Sequence, residues 1–187
     1  MSVHTKNRPI GLERKIATLQ KQLGIPADYA VLRKLALQPE CSHPVSIGKD
    51  IFGREQKMSP TAASAWFDMQ AAAASNGIEL QAVSAFRSVD YQAGIIRRKL
   101  DAGQCMDDIL RMSAAPGYSE HHNGCALDIT TPGFEPLEEE FENSPAFSWL
   151  TNSAREYGFR LSYPKGNPHG VAYEPWHWCW HPESSPH

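Results

Sequence analysis

Apolar residues at Leu12, Ile16, Leu19 and Leu23 recur at helical spacing and Gly24 follows them, so the pattern predicts a helix over 11–23. Residues 28–38 read as a second short helix before Pro39, and 41–57 are mixed, with a short strand around 45–52. Ser59-Pro60 starts a further helix, with Ser as the cap and Pro at the first helical position; it runs through Ala71 and closes at Asn76-Gly77. Residues 78–86 alternate as a strand does, with Leu80, Ala82 and Ser84 against Gln81, Val83 and Ala85. A helix over 90–102 turns Ile95, Ile96 and Leu100 inward, and 106–112 form another short one. Alternation returns over 125–130. Ser144-Pro145 repeats the cap device for a helix carrying Phe147, Leu150 and Ala154 that ends at Gly158. Residues 159–163 read as a strand, 164–170 as a loop, and 171–180 as a returning strand or bent hairpin. Helices and strands do not follow βαβ alternation, so the class is α+β, a small antiparallel sheet flanked by helices. Residues 1–8 read as a disordered tail, and 1–44 as an N-terminal helical extension.

Composition narrows the functions. A chain of 187 residues with 41% hydrophobic and 21% charged residues is most simply one soluble globular domain. A net charge of -3 without any basic run gives nucleic acid no track to follow. No apolar run reaches membrane-span length. The N-terminal stretch lacks the apolar segment of a secretory signal, which leads us to expect a cytoplasmic protein, or a periplasmic or exported one if a signal has been removed. The four cysteines, Cys41, Cys105, Cys125 and Cys179, show no CxxC spacing and read as buried free thiols. The acidic run Glu138, Glu139, Glu140 reads as a solvated face. Nothing in the chain indicates an oligomer, and a monomer is expected.

The chemistry concentrates in residues 116–130, PGYSEHHNGCALDIT, and in Glu174-Pro175-Trp176-His177. Gly124 permits a tight entry into the strand over 125–130. Ala126, Asp128 and Thr130 then share one face, and Cys125, Leu127 and Ile129 the other. Asp128 is thereby aimed from a rigid strand, and His121 lies on the loop just before it. Two imidazoles and a carboxylate, with a second carboxylate nearby, are the inventory of a catalytic zinc site that leaves one position for water.

The pattern Ser119-x-His121-x-x-Gly124-x-Ala126-x-Asp128 followed by Glu174-Pro175-Trp176-His177 resembles the zinc D-Ala-D-Ala carboxypeptidases of the VanY type. Their wider group includes lysostaphin-type peptidases and the hedgehog signalling domain. Ser84-Ala85-Phe86-Arg87-Ser88 with Tyr91-Gln92, and the run from Tyr157 to Pro164, resemble further signatures of that family, so the likeness extends over about 45–181. It implies a catalytic domain over 45–187 with the family's antiparallel fold, and a single Zn²⁺ on His121, Asp128 and His177. It assigns Glu174 as general base, taking a proton from the metal-bound water and returning it to the leaving amine. It gives Arg87 to the oxyanion of the tetrahedral intermediate, and Gln92 and Ser119 to the substrate's peptide and terminal carboxylate. The implied reaction is removal of a C-terminal D-alanine from peptidoglycan stem peptides, D,D- or L,D-. Hedgehog-like relatives show that the fold can also serve as a zinc-containing module without catalysis, here a peptidoglycan-binding one, and a cell-wall endopeptidase is a third reading. The presence of Glu174 and Arg87 favours an enzyme.

Ordinary readings stand beside these. An isolated His is commonly structural, a Glu in a polar turn is commonly solvated, and Gln92 and Ser119 are unremarkable on a helix and a loop. His121 and His122 cannot both face one centre from an extended segment; the motif selects His121, leaving His122 to orient the loop or bond outward. Pro175 is expected to bend the chain so that Glu174 and His177 approach the same point. If 176–181 is extended, Trp176, Trp178 and Trp180 share one face, expected to cover the site and line its entrance. Cys179 and His181, on the other face, are candidates for extra ligands, although a fourth ligand would close the position that water needs.

Overall fold

The structure, a computed structural model, describes residues 10–182. The tail expected over 1–8 lies outside the described residues. Helix α1 (Ile10–Leu23) is followed by a single turn, α2 (Tyr29–Leu32), then by a hairpin of β1 (Val45–Lys49) and β2 (Glu55–Met58). Helix α3 (Pro60–Ser75) leads to β3 (Gln81–Ser84), α4 (Val89–Asp101), α5 (Met106–Met112) and β4 (Ala126–Thr130). Helix α6 (Pro145–Ser153), β5 (Phe159–Leu161) and β6 (His177–Trp180) complete the chain. The class is the expected α+β. β3, β4, β6 and β5 form one antiparallel sheet in that spatial order, so β4 and β6 are its centre.

Two apolar clusters hold the elements together. One face of the sheet, through Leu127, Ile129 and Trp178, packs on Trp66 and Met69 of α3 and Leu150 of α6. The other cluster joins the N-terminal helices to α4 and α5 through Leu23, Tyr29, Ile96 and Ile109. In α4 the buried positions are Val89, Gln92, Ala93 and Ile96, the i, i+3, i+4, i+7 stripe of an amphipathic helix; Ile95 is only half-buried.

Several expectations are corrected. The helix predicted over 28–38 stops after one turn, because Lys34 takes a positive φ of 51° that no helix continues. The strand predicted over 78–86 is limited to four residues, and a register irregularity between Ala82 and Ser84 leaves adjacent Ala82 and Val83 both buried. Residues 171–176 are irregular, and only 177–180 form the returning strand. Ser144 caps α6 by accepting from the Phe147 N–H at 2.9 Å, but Ser59 makes no such bond; its hydroxyl faces the Cys125 thiol instead. All four cysteines are free, yet Cys105 is exposed and only Cys179 is buried.

The hairpin is tied down by one buried carboxylate. Asp50 Oδ1 accepts from the backbone of Phe52 and Arg54, and its Oδ2 from the Arg54 and Gln56 side chains. Burial alone would raise the Asp50 pKa, but these donors outweigh it and hold the carboxyl below the usual range. Arg54 then donates to Val83 O at 3.0 Å, and Gln56 Oε1 accepts from Ala85 N at 2.9 Å. The hairpin thus braces the end of β3, the segment that carries Arg87.

Candidate metal centre and substrate pocket

Asp128 sits on the central strand β4, directly opposite His177 on β6 and Ser84 on β3. His121 lies on a 3₁₀ turn, Glu120–Asn123, that ends at Gly124 in the left-handed conformation, φ 73°. A Cβ at Gly124 would stand 2.8 Å from the Ser59 backbone nitrogen. This position therefore needs glycine for both its torsion and its clearance, and the tight entry expected from the sequence is what the chain adopts. Arg87 N donates to His121 O at 3.1 Å, fastening the turn to the end of β3.

His121, Asp128 and His177 converge, each buried, with one ligand atom apiece inside a 4.8 Å spread. Their hydrogen bonds show that a cation fits. His121 Nδ1 is 2.6 Å from the Ala85 carbonyl oxygen, which can only accept, so Nδ1 carries the proton. Nε2 is then a bare lone pair, buried, without a hydrogen-bond partner, and 3.3 Å from Asp128 Oδ2. Burial, helped by the nearby Arg87 charge and opposed by Asp128, pushes the His121 pKa down to about 4, which keeps the ring neutral. Two acceptors facing each other in a buried site are stabilised by a cation between them. A tetrahedral ligand set with bonds of about 2.0–2.2 Å puts its donor atoms roughly 3.3–3.6 Å apart, and His121 Nε2 and Asp128 Oδ2 stand 3.3 Å apart within the group's 4.8 Å spread.

His177 completes the set differently. Its Nδ1 lies 3.0 Å from Asp128 Oδ1 and its Nε2 2.9 Å from Glu120 Oε2. Burial lowers its pKa, but hydrogen bonds to Asp128 and Glu120 outweigh that and push it up to about 10. Both ring nitrogens face carboxylate oxygens, which favours the protonated ring. A metal ion at this point would displace the Nδ1 proton, as ligation generally does. Asp128 is held far below the carboxylate range: burial opposes this, and the two imidazoles override it.

Glu174 stands beside the triad without belonging to it. The His177 N–H donates to Glu174 O at 3.1 Å, closing a turn around Pro175 that brings both side chains to one side, as expected. Glu174 Oε2 is 3.8 Å from His177 Nδ1. Burial, the largest influence, lifts its carboxyl to about 7; His177 and Arg87 oppose the rise while Asp128 and Glu120 add to it. A buried carboxylate poised near neutrality next to a metal position is suited to exchanging a proton with bound water.

Arg87, Gln92 and Ser119 line the same small cavity, about 40 Å³, together with His121, Glu174 and His177. Arg87 Nη2 is 3.9 Å from Asp128 Oδ2, and its Nε has no partner. Gln92 donates from Nε2 to Ala114 O at 2.7 Å and leaves Oε1 unpaired. Among the described residues, the buried side-chain nitrogen and oxygen atoms lacking a partner are Arg87 Nε, Gln92 Oε1 and His121 Nε2. All three belong to this one cavity, which marks it as a place built for a ligand. A larger groove of about 330 Å³, lined by Arg54, Gln56, Ser88 and Tyr91, adjoins it and shares Arg87.

His122 is fully buried and orients the loop: its Nδ1 donates to Arg87 O at 2.6 Å, and its Nε2 accepts from Gly117 N at 3.1 Å. The Trp face is a correction. Trp176 and Trp178 are buried in the main core on the side away from the metal position, not over its entrance, because the sheet's second face is covered by α3 and α6. Cys179 and His181 stand outside the convergent group. Glu120, Ser162 and Tyr163, to which the sequence reading assigned no role, are part of the surroundings: the Tyr163 ring lies 4.9 Å from that of His177. Adjacency to His121 marked Glu120, and the signature over 157–164 contained the other two without indicating what they do.

The VanY family model, described as D-alanyl-D-alanine carboxypeptidase, matches residues 55–183. A putative carboxypeptidase of Bacillus subtilis, YodJ, is 44% identical over 69 residues, 34% of this chain and 24% of that protein. The matched segment is thus about a quarter of that relative's length. Among solved structures, the LD-carboxypeptidase LdcB is 33% identical with a TM-score of 0.62, covering 83% of this chain and 68% of that one. A mutant of the vancomycin-resistance D,D-pentapeptidase VanY, in complex with Zn(II), is 25% identical with a TM-score of 0.55, covering 83% and 81%.

Proposed function

The chain belongs to the VanY family of D-alanyl-D-alanine carboxypeptidases, and on that premise we propose that it is a zinc-dependent carboxypeptidase that removes a C-terminal D-alanine from peptidoglycan stem peptides. The observation that carries this reading is the convergence of three unpaired buried polar atoms on one cavity beside a His–Asp–His group. His121, Asp128 and His177 would hold the zinc, which would supply Lewis acidity at this point. The chain's own residues do the rest. Glu174 accepts the proton of the attacking water and hands it to the departing amine. Arg87, whose guanidinium faces the cavity, stabilises the negative charge that develops on the carbonyl oxygen. Gln92 and Ser119 hold the terminal residue. The cavity beside the triad is small, about 40 Å³, which favours trimming a chain end over cutting within a cross-link. The preceding stem residues would lie in the adjoining groove past Arg87.

The test incubates zinc-loaded protein with tetrapeptide and pentapeptide stems and follows products by mass spectrometry. Loss of one alanine from either stem supports the reading, and the preferred stem sets L,D- or D,D-specificity. A protein that binds zinc and leaves both stems intact, or that cuts cross-linked dimers faster than either, overturns it.

A further inference from the structure

We propose that Glu120, the unassigned residue between Ser119 and His121, is a positioning residue that sets which nitrogen His177 offers to the metal. The inference rests on the zinc reading above. The two histidines of the site present opposite nitrogens. His121 faces Asp128 with Nε2, its Nδ1–H being donated to the Ala85 carbonyl oxygen. His177 faces Asp128 with Nδ1, so it must carry its proton on Nε2 to ligate as a neutral ring. The acceptor for that proton is Glu120 Oε2, at 2.9 Å.

The carboxylate is itself held. Ser162 Oγ donates to the same oxygen at 2.6 Å, and the Ser162 backbone N–H points to His177 O at 3.4 Å. Glu120 thus ties the 3₁₀ turn of the His121 segment to the end of β5 across the His177 ring. The ring's remaining freedom is removed by its neighbours: His121 meets it edge-on with centroids 4.9 Å apart, and Tyr163 lies against it at the same distance. One carboxylate oxygen, Glu120 Oε2, thus faces both the Ser162 hydroxyl and the His177 ring nitrogen, and it serves as the acceptor for each. A carboxylate behind a metal-bound imidazole fixes its tautomer and makes it a better donor, and removing such a partner typically weakens metal binding about 10- to 100-fold. Glu120 faces the ring nitrogen remote from the triad's shared centre, which separates its role from that of a further ligand.

Zinc affinity is measured by competition with a chromophoric chelator for the parent protein, Glu120→Ala, Glu120→Gln and Ser162→Ala, and the cobalt(II)-substituted forms are compared by visible absorption. Glu120→Ala is expected to bind zinc about 10- to 100-fold more weakly and to shift the cobalt bands. Glu120→Gln, which keeps an acceptor oxygen but loses the charge, should recover part of the affinity. Ser162→Ala should give a smaller loss in the same direction, and it serves as the reporter should Glu120→Ala not fold. Parent-like zinc affinity and cobalt spectrum in folded Glu120→Ala, or in Ser162→Ala if only that variant folds, would overturn the proposal while leaving the zinc site intact. Failure of the parent itself to bind zinc would instead overturn the reading on which it rests.

Discussion

Asp128 and His177 are direct cross-strand partners on the two central strands of the sheet, and that pairing sets Asp128 Oδ1 3.0 Å from His177 Nδ1. The backbone ladder that builds the sheet therefore also builds two-thirds of the metal site. Replacing either side chain leaves the ladder in place, so Asp128→Ala, His177→Ala and His121→Ala should fold without stoichiometric zinc. Glu174→Gln should keep the metal and lose turnover by about 100- to 10,000-fold, because an amide cannot accept the proton. Metal content by atomic spectroscopy alongside D-alanine release separates the two kinds of variant, and near-normal turnover in Glu174→Gln would remove it from the role of base.

Arg87 is held by its backbone from two sides, donating N–H to His121 O and accepting at its carbonyl from His122 Nδ1. Its guanidinium is consequently aimed from a fixed base into the cavity. Arg87→Lys should lower kcat at least about 100-fold with zinc content unchanged, since an ammonium on a flexible stem does not reproduce the planar fork. An unaltered kcat would place the guanidinium away from the reacting carbonyl.

The parts legible in the sequence were those set by local pattern. The alternation of 125–130 turns Asp128 and Leu127 to opposite faces, and the structure places one at the metal centre and the other in the core. Pattern alone does not say what covers each face of a sheet. The Trp face was consequently misread as the site's lid, when α3 and α6 had already claimed it as core. The hairpin over 45–58 was only half visible because its residues are largely exposed and its order depends on Asp50, whose partners were not evident from periodicity. Glu120 was invisible for a similar reason: its partner His177 is 57 residues away, and only the folded sheet brings the two together.

Burial pushes the Glu174 carboxyl up to about 7 from an ordinary value of 4.5. A raised folded-state pKa disfavours the charged form, so its contribution to stability is full below about pH 4.5 and is lost as pH rises through 7. Substituting Glu174→Gln removes that loss. Metal-free Glu174→Gln should therefore be more stable than metal-free parent at pH 8, by on the order of 1–3 kcal/mol, with the advantage gone at pH 4. Denaturant unfolding of both proteins at the two pH values, with chelator present, measures the difference. An equal gap at both values would mean that Glu174 is not strained by its burial.

Gly124→Ala tests the turn that delivers His121. The residue has a φ of 73°, and an added Cβ would meet the Ser59 backbone nitrogen at 2.8 Å. That nitrogen donates to Gly124 O at 2.8 Å, so it cannot retreat without breaking the bond that joins the start of α3 to the motif loop. Alanine at a positive φ already costs about 1 kcal/mol, and the backbone clash adds to it. We expect destabilisation above about 1 kcal/mol, read by thermal unfolding of the metal-free proteins. We also expect weaker zinc binding than in the parent, because displacing Gly124 displaces the 3₁₀ turn that ends there and the His121 ring on it. By contrast, Gly133→Ala, at a φ of 89° in open space, carries the torsional cost without the clash and without a link to His121. Comparing the two variants isolates the contribution of close packing, and equal losses of stability with equal zinc affinity would show that Gly124 serves only its torsion angle.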